Sequence, residues 1–135
     1  MKKLLLLSLI LSACASQRER KSDKTIFLQE FKLKYFEKCI KHGFNDSPEI
    51  QKILEQDKSG YSEPVLGELY DVIDSLAKKR ITNSKNARAA LKTQKAEGSS
   101  RQDKIIEVCL CDYEGKWLDS IAKNEYRKFS KNKSR

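Results

Sequence analysis

The chain holds a single histidine, His42, and its five glycines are scattered rather than gathered into a run. With one imidazole, any Cys–His or Ser–His–Asp nucleophile has to be built through His42, and no such set is recognisable. Cys39 and His42 are neighbours at i, i+3 on a helix, but His42 falls at an expected helix end, where a capping imidazole is the commoner use. Without a glycine-rich turn there is no phosphate-cradling loop. The acids show no spacing suited to metal or paired-carboxylate work. Cys109-x-Cys111 with a distant Cys39 and His42 would make four ligands, yet the spacing fits no common zinc pattern. No metal or cofactor is expected, and the chain reads as a binding protein rather than an enzyme. Alternating strand patterns and internal repeats are also missing. That leaves an all-α architecture, a small bundle of four to five helices.

No apolar run approaches the roughly 20 residues a membrane-spanning helix needs. The longest, Leu4 to Leu11, is interrupted by Ser8 and follows Lys2 and Lys3. Its length is that of a signal-peptide core. It ends in Leu11-Ser12-Ala13-Cys14, which resembles the bacterial lipobox, in which the cysteine is lipidated and becomes the first mature residue. Residues 1–13 are therefore expected to be a lipoprotein signal, Cys14 the lipidated residue, and 14–24 a basic tether. An ordinary cleaved signal is the alternative. Ala15, rather than Asp, after the cysteine favours the periplasmic face of the outer membrane.

Of 28 Lys and Arg, two lie in the signal, leaving 26 against 19 Asp and Glu. A surplus of this kind points to acidic partners, namely an anionic protein cleft, lipid headgroups or wall polymers. Export argues against nucleic acid. The remaining 122 residues suffice for one modest core, taken here as a single domain over 25–135.

Within it, Leu28, Phe31, Tyr35 and Cys39 step by three or four, widened by Phe27, Phe36 and Ile40, predicting a helix over 25–42 with Gly43 as its stop. Ser47-Pro48-Glu49 opens a shorter helix with Ile50, Ile53 and Leu54. Ser62-Glu63-Pro64 is the next start signal, followed by a wide stripe from Val65 to Ala77. Residues 82–103 then break the pattern. Only Ala89, Ala90 and Leu91 could be buried together, and the length exceeds an ordinary helix connection, so a long basic loop is expected, with room for one helical turn around Ala87–Thr93. Helix returns over 104–129, with a kink at Gly115.

With Cys14 assigned to lipid, Cys39, Cys109 and Cys111 remain in an oxidising compartment. Cys39 lies on the stripe of Phe31 and Tyr35, and Cys109 on that of Ile105 and Tyr113. Cys111 is rotated about 200° from Cys109 toward the polar side. Helical geometry thus favours a Cys39–Cys109 bridge, with Cys39–Cys111 and unpaired or intermolecular arrangements left as alternatives.

FLQEFKLKYFEKCI at 27–40, GELYDVIDSLAKK at 67–79 and VCLCDYEGKWLDSIAKNEYRK at 108–128 resemble the periplasmic immunity proteins that neutralise the fourth family of type VI secretion amidase effectors. Those proteins have an apolar-aromatic first helix ending in Cys and a small aliphatic residue, matched by Cys39-Ile40. They carry another Cys about ten residues before a Leu-Asp pair, matched by Cys109 and Leu118-Asp119. Cys111 stands where the family tends to have Asp, and a lipobox replaces its simple signal. The resemblance implies an all-helical inhibitor, typically a homodimer, whose loop between late helices fills the groove of a papain-like amidase. That enzyme cuts the γ-D-glutamyl–diaminopimelate bond of peptidoglycan. Here the corresponding element is 82–103. Lys85, Arg88 and Lys92 would then steer association, while Ala90 and Leu91 would set dissociation.

Overall fold

The computed structural model describes residues 22–60, 65–92 and 104–133, with side-chain surroundings unassigned for Leu91, Lys92 and Lys133. These residues form five helices: α1 (Asp23–Gly43), α2 (Pro48–Gln56), α3 (Leu69–Lys92), α4 (Ile105–Glu114) and α5 (Lys116–Lys133). The fold is a small all-α bundle, closed by a disulfide between Cys39 and Cys109. The signal run, Cys14 and most of the expected tether lie outside the described residues. No helix among those described is long and apolar enough to cross a membrane.

The bundle is organised on α1. Ser22 caps it by accepting from the Thr25 backbone N–H, and Asp23 complements the positive end of the dipole. Helix therefore begins two residues before the predicted start at 25 and four before Phe27, the first buried residue of the stripe. Phe27, Phe31, Tyr35 and Cys39 recur every fourth residue and are all buried. Every other helix except α2 contributes to the core packed on this stripe: Ile73, Ala77 and Ile81 from α3, Ile105 and Cys109 from α4, Leu118 and Ala122 from α5. Phe27 meets the rings of Tyr126 and Phe129, Tyr35 that of Trp117, and Phe36 that of Tyr113. Burying side chains of this size supplies roughly 1.5–3 kcal/mol each before ordering costs. Among the described residues the backbone of α3 lies against α1, while α4 and α5 lie against α1 and each other; α3 reaches α4 and α5 through the Arg80 side chain.

Gly43 serves a different purpose from the one its position suggests. It is the last residue of α1, buried, and not in the left-handed region. A Cβ there would lie 2.1 Å from Ile105 Cγ2, so glycine is required for the close approach of α4. The left-handed residues are the next pair but one, Asn45 and Asp46, both at φ 56°. Asn and Asp tolerate that conformation better than other side-chain-bearing residues.

Helix α2 starts as its Ser-Pro-Glu signal predicts, with Ser47 accepting from Ile50 N–H at 3.4 Å. It buries no residue fully, and Ile53 on its outer face is exposed. Helix α3 begins at Leu69, later than the start signal at 62–64, which lies outside the described residues. Leu66 ahead of it is buried, and its carbonyl accepts from Leu69 N–H.

The expected loop over 82–103 needs correction in its first half. Residues 82–92 continue α3 without a break. The apolar stripe stops at Ile81, but Ser84, Lys85 and Arg88 keep the same side half-buried with polar groups. Between 82 and 92 there is neither Gly nor Pro, and Ala, Arg and Lys are good helix formers. Residues 93–103 lie outside the described residues. Gly115 produces a full break between α4 and α5 rather than a kink. A Cβ there would come within 2.8 Å of the Cys111 carbonyl oxygen.

Candidate functional site

Two polar clusters sit on either side of the α3 stripe. The first lies where α1 ends. Lys85 Nζ donates to Asn45 Oδ1 at 2.6 Å and to the His42 carbonyl at 3.3 Å. An ammonium at the negative end of α1 suits the helix dipole and is a second donor to a carbonyl that also accepts from Asn45 N–H. The same turn is closed by Asn45 N–H to His42 O and Asp46 N–H to Lys41 O. His42 stands between two carboxylates, with Nε2 3.1 Å from Asp74 Oδ1 and Nδ1 3.4 Å from Asp46 Oδ2. Lys38 also approaches Asp74, at 3.7 Å. The space between this turn and α3 is a cleft of about 360 Å³ lined by His42, Asn45, Asp46, Lys78, Thr82 and Lys85, among others.

Of the residues expected in a partner-binding loop, Lys85 is thus committed to the end of α1. Arg88 is half-buried and Ala90 exposed on the same helix. Leu91 and Lys92 belong to α3, but their side chains lie outside the described residues. Instead of a loop, 85–92 forms a helix end in which Lys85 and Arg88 share one face at i and i+3.

The second cluster centres on Asp112, which is only 5% exposed. Arg80 reaches across from α3 and donates Nε to Oδ2 at 3.0 Å and Nη2 to Oδ1 at 2.9 Å. Tyr35 Oη donates to Oδ2 at 2.8 Å from the floor formed by α1. The Arg80 guanidinium lies 5.6 Å from the ring centroid of Trp117 on α5, and the Tyr35 ring meets Trp117 edge-on. One carboxylate therefore ties α1, α3 and α4 together beneath an aromatic side chain from α5. Burial, then the hydrogen bond to Asp112 and its charge, pushes the Tyr35 phenol well above the usual range. The hydrogen bond to Asp112 likewise makes Arg80 hold its proton more firmly. No nucleophile stands in this cluster. Its chemistry is to fix orientation.

Tyr35 and Trp117 were legible only as apolar stripe residues, and Arg80 only as a helix-end cation. The available signal was Asp112 itself. It falls three residues after Cys109 on the inward face of α4, a place where a carboxylate needs donors from elsewhere.

The cysteines follow the favoured pairing. Cys39 and Cys109 are bonded, with Cα atoms 5.8 Å apart, and Cys111 is free and exposed. Among the described residues, no group of three or more His, Cys, Asp or Glu converges as a metal set would require. Comparison with family models, curated proteins and solved structures finds no match to this chain.

Proposed function

We propose that the chain is an exported immunity protein that binds a peptidoglycan amidase effector and occludes its active-site groove. The observation that carries this reading is the Cys39–Cys109 bond. Its two ends are the two positions on which the resemblance rests, the Cys-Ile close of the aromatic first helix and the Cys ahead of Leu118-Asp119. That aromatic helix is also the element on which the other helices pack. In this reading the inhibitor catalyses nothing. It excludes substrate by filling the groove, using the basic end of α3 together with 93–103. Lys85, Arg88 and Lys92 then raise the association rate by steering, and Ala90 and Leu91 slow dissociation. Cys14 anchors the protein by its lipid to the periplasmic face of the outer membrane, as a monomer or, as the resemblance implies, a homodimer.

The test is co-expression with a periplasm-directed amidase effector, scoring lysis. Protection that survives Cys14→Ser is the expected result. Lysis despite folded, disulfide-bonded protein overturns the reading.

A second reading draws on the basic surplus of the chain. Here the protein is an envelope-organising lipoprotein whose cationic face holds wall polymer or anionic lipid. It would pellet with purified peptidoglycan in a salt-sensitive way and leave an amidase uninhibited.

A further inference from the structure

We infer that the energetic anchor for a protein partner is the Arg80–Trp117 pair, and that it receives a partner segment offering a carboxylate beside an apolar side chain. The inference rests on the immunity reading for the identity of the partner, and on the Asp112 cluster for the place.

Arg80 is fixed at two nitrogens by a buried carboxylate that also takes the Tyr35 hydroxyl. Yet the Arg80 side chain remains 47% exposed, and Trp117 beside it is 44% exposed. Taking a carboxylate out of water is costly, and a buried ion pair often stabilises a fold no more than apolar side chains would. What this pair does is hold a long side chain in one geometry, at two of its nitrogens. Here the side chain held is an arginine at the surface, and the ring it lies against is the chain's one tryptophan. Pre-set Arg and Trp side chains are the residue types that dominate binding energy when truncated, because little entropy is lost on docking.

The polarity of the surface selects the partner. Nη1 of Arg80 is not used on Asp112, and the indole N–H of Trp117 can only donate. A guanidinium edge beside an aromatic face, in a chain with a basic surplus, fits an acidic segment with an apolar neighbour. It does not fit a basic one. The site bridges α3 and α5, which meet through the Arg80 side chain lying against Trp117. A segment seated there meets both helices at once.

The experiment titrates a purified papain-like peptidoglycan amidase effector against the full mature chain by calorimetry. The variants are Trp117→Ala, Trp117→Phe, Arg80→Lys and, on the outer face of α2, Lys52→Ala. Near-ultraviolet circular dichroism and thermal melts establish that each variant is folded. Trp117→Ala is expected to weaken binding about 30-fold or more. Trp117→Phe keeps the packing and costs less, Arg80→Lys loses the fork, and Lys52→Ala stays within about 3-fold. Wild-type binding with Trp117→Phe and Arg80→Lys both within about 3-fold overturns this surface and leaves the immunity reading standing. Absence of wild-type binding overturns that reading, and the partner assigned here falls with it.

Discussion

The two polar clusters of this bundle use the same kinds of residue and reach opposite results. Both bring an α3 side chain together with α1, and both pair a carboxylate with nitrogen donors. Around His42 the carboxylates of Asp74 and Asp46 are 36% and 46% exposed, and their contacts run from 3.1 to 3.8 Å, so both acids reach solvent. Around Asp112 the carboxylate is 6% exposed and takes three well-formed bonds from two residues on different helices. In the first cluster water competes with every contact, so pairing adds little. In the second it cannot, so losing a partner leaves a group with nowhere to turn. Burial, rather than the number of charges, separates a trim on the helix end from a fixture of the core.

The largest effect should come from the covalent tie that flanks the Asp112 cluster. Replacing Cys39 and Cys109 by alanine opens a 70-residue closure, worth about 4 kcal/mol in chain entropy. A drop of that size in urea denaturation is expected, and a drop below about 1 kcal/mol would mean that the helices hold their places without it. Next, Asp112→Ala orphans the buried Tyr35 hydroxyl and frees Arg80. It should cost about 2–3 kcal/mol and change the fluorescence of Trp117.

The third test uses alkali. The folded state holds the Tyr35 proton above the ordinary phenol pKa of about 10, so its contribution is intact below pH 10 and lost as pH rises beyond it. Stability should fall by up to about 1.4 kcal/mol per pH unit there. Spectrophotometric titration should show one tyrosine ionising only on unfolding, and Tyr35→Phe should remove that slope. Last, Asp74→Asn takes one of the two carboxylate charges from the His42 cluster and should cost under about 1 kcal/mol. If it matched Asp112→Ala, the contrast between the clusters would collapse.

Much of the fold was readable because the apolar periodicity is clear in α1 and α5 and a Ser-Pro-Glu start opens α2. The pairing of cysteines was readable for the same reason, since residues two apart on a helix cannot share a face. The end of α3 was not. Beyond Ile81 its inward side is filled by Ser84, Lys85 and Arg88, so a test for apolar residues reports a break where the backbone continues. Lys85 looked like a free cation because its acceptors, Asn45 and the His42 carbonyl, are 40 residues and more away. The Asp112 cluster was hidden by the same distance. Tyr35 fits an aromatic core stripe whether or not its hydroxyl is engaged, and only the assembled helices reveal which.

The bond between Cys39 and Cys109 also gives the protein a covalent topology that a linear chain lacks. Everything from residue 40 to 108 belongs to a closed ring, with α2 and α3 inside it and most of α1 and α5 hanging from the knot. A single proteolytic cut anywhere in that ring yields no separate fragments. The nicked molecule keeps one mass, gaining only a water, until a reductant splits it in two. Wherever it meets a protease, a molecule cut once within the ring is still one molecule.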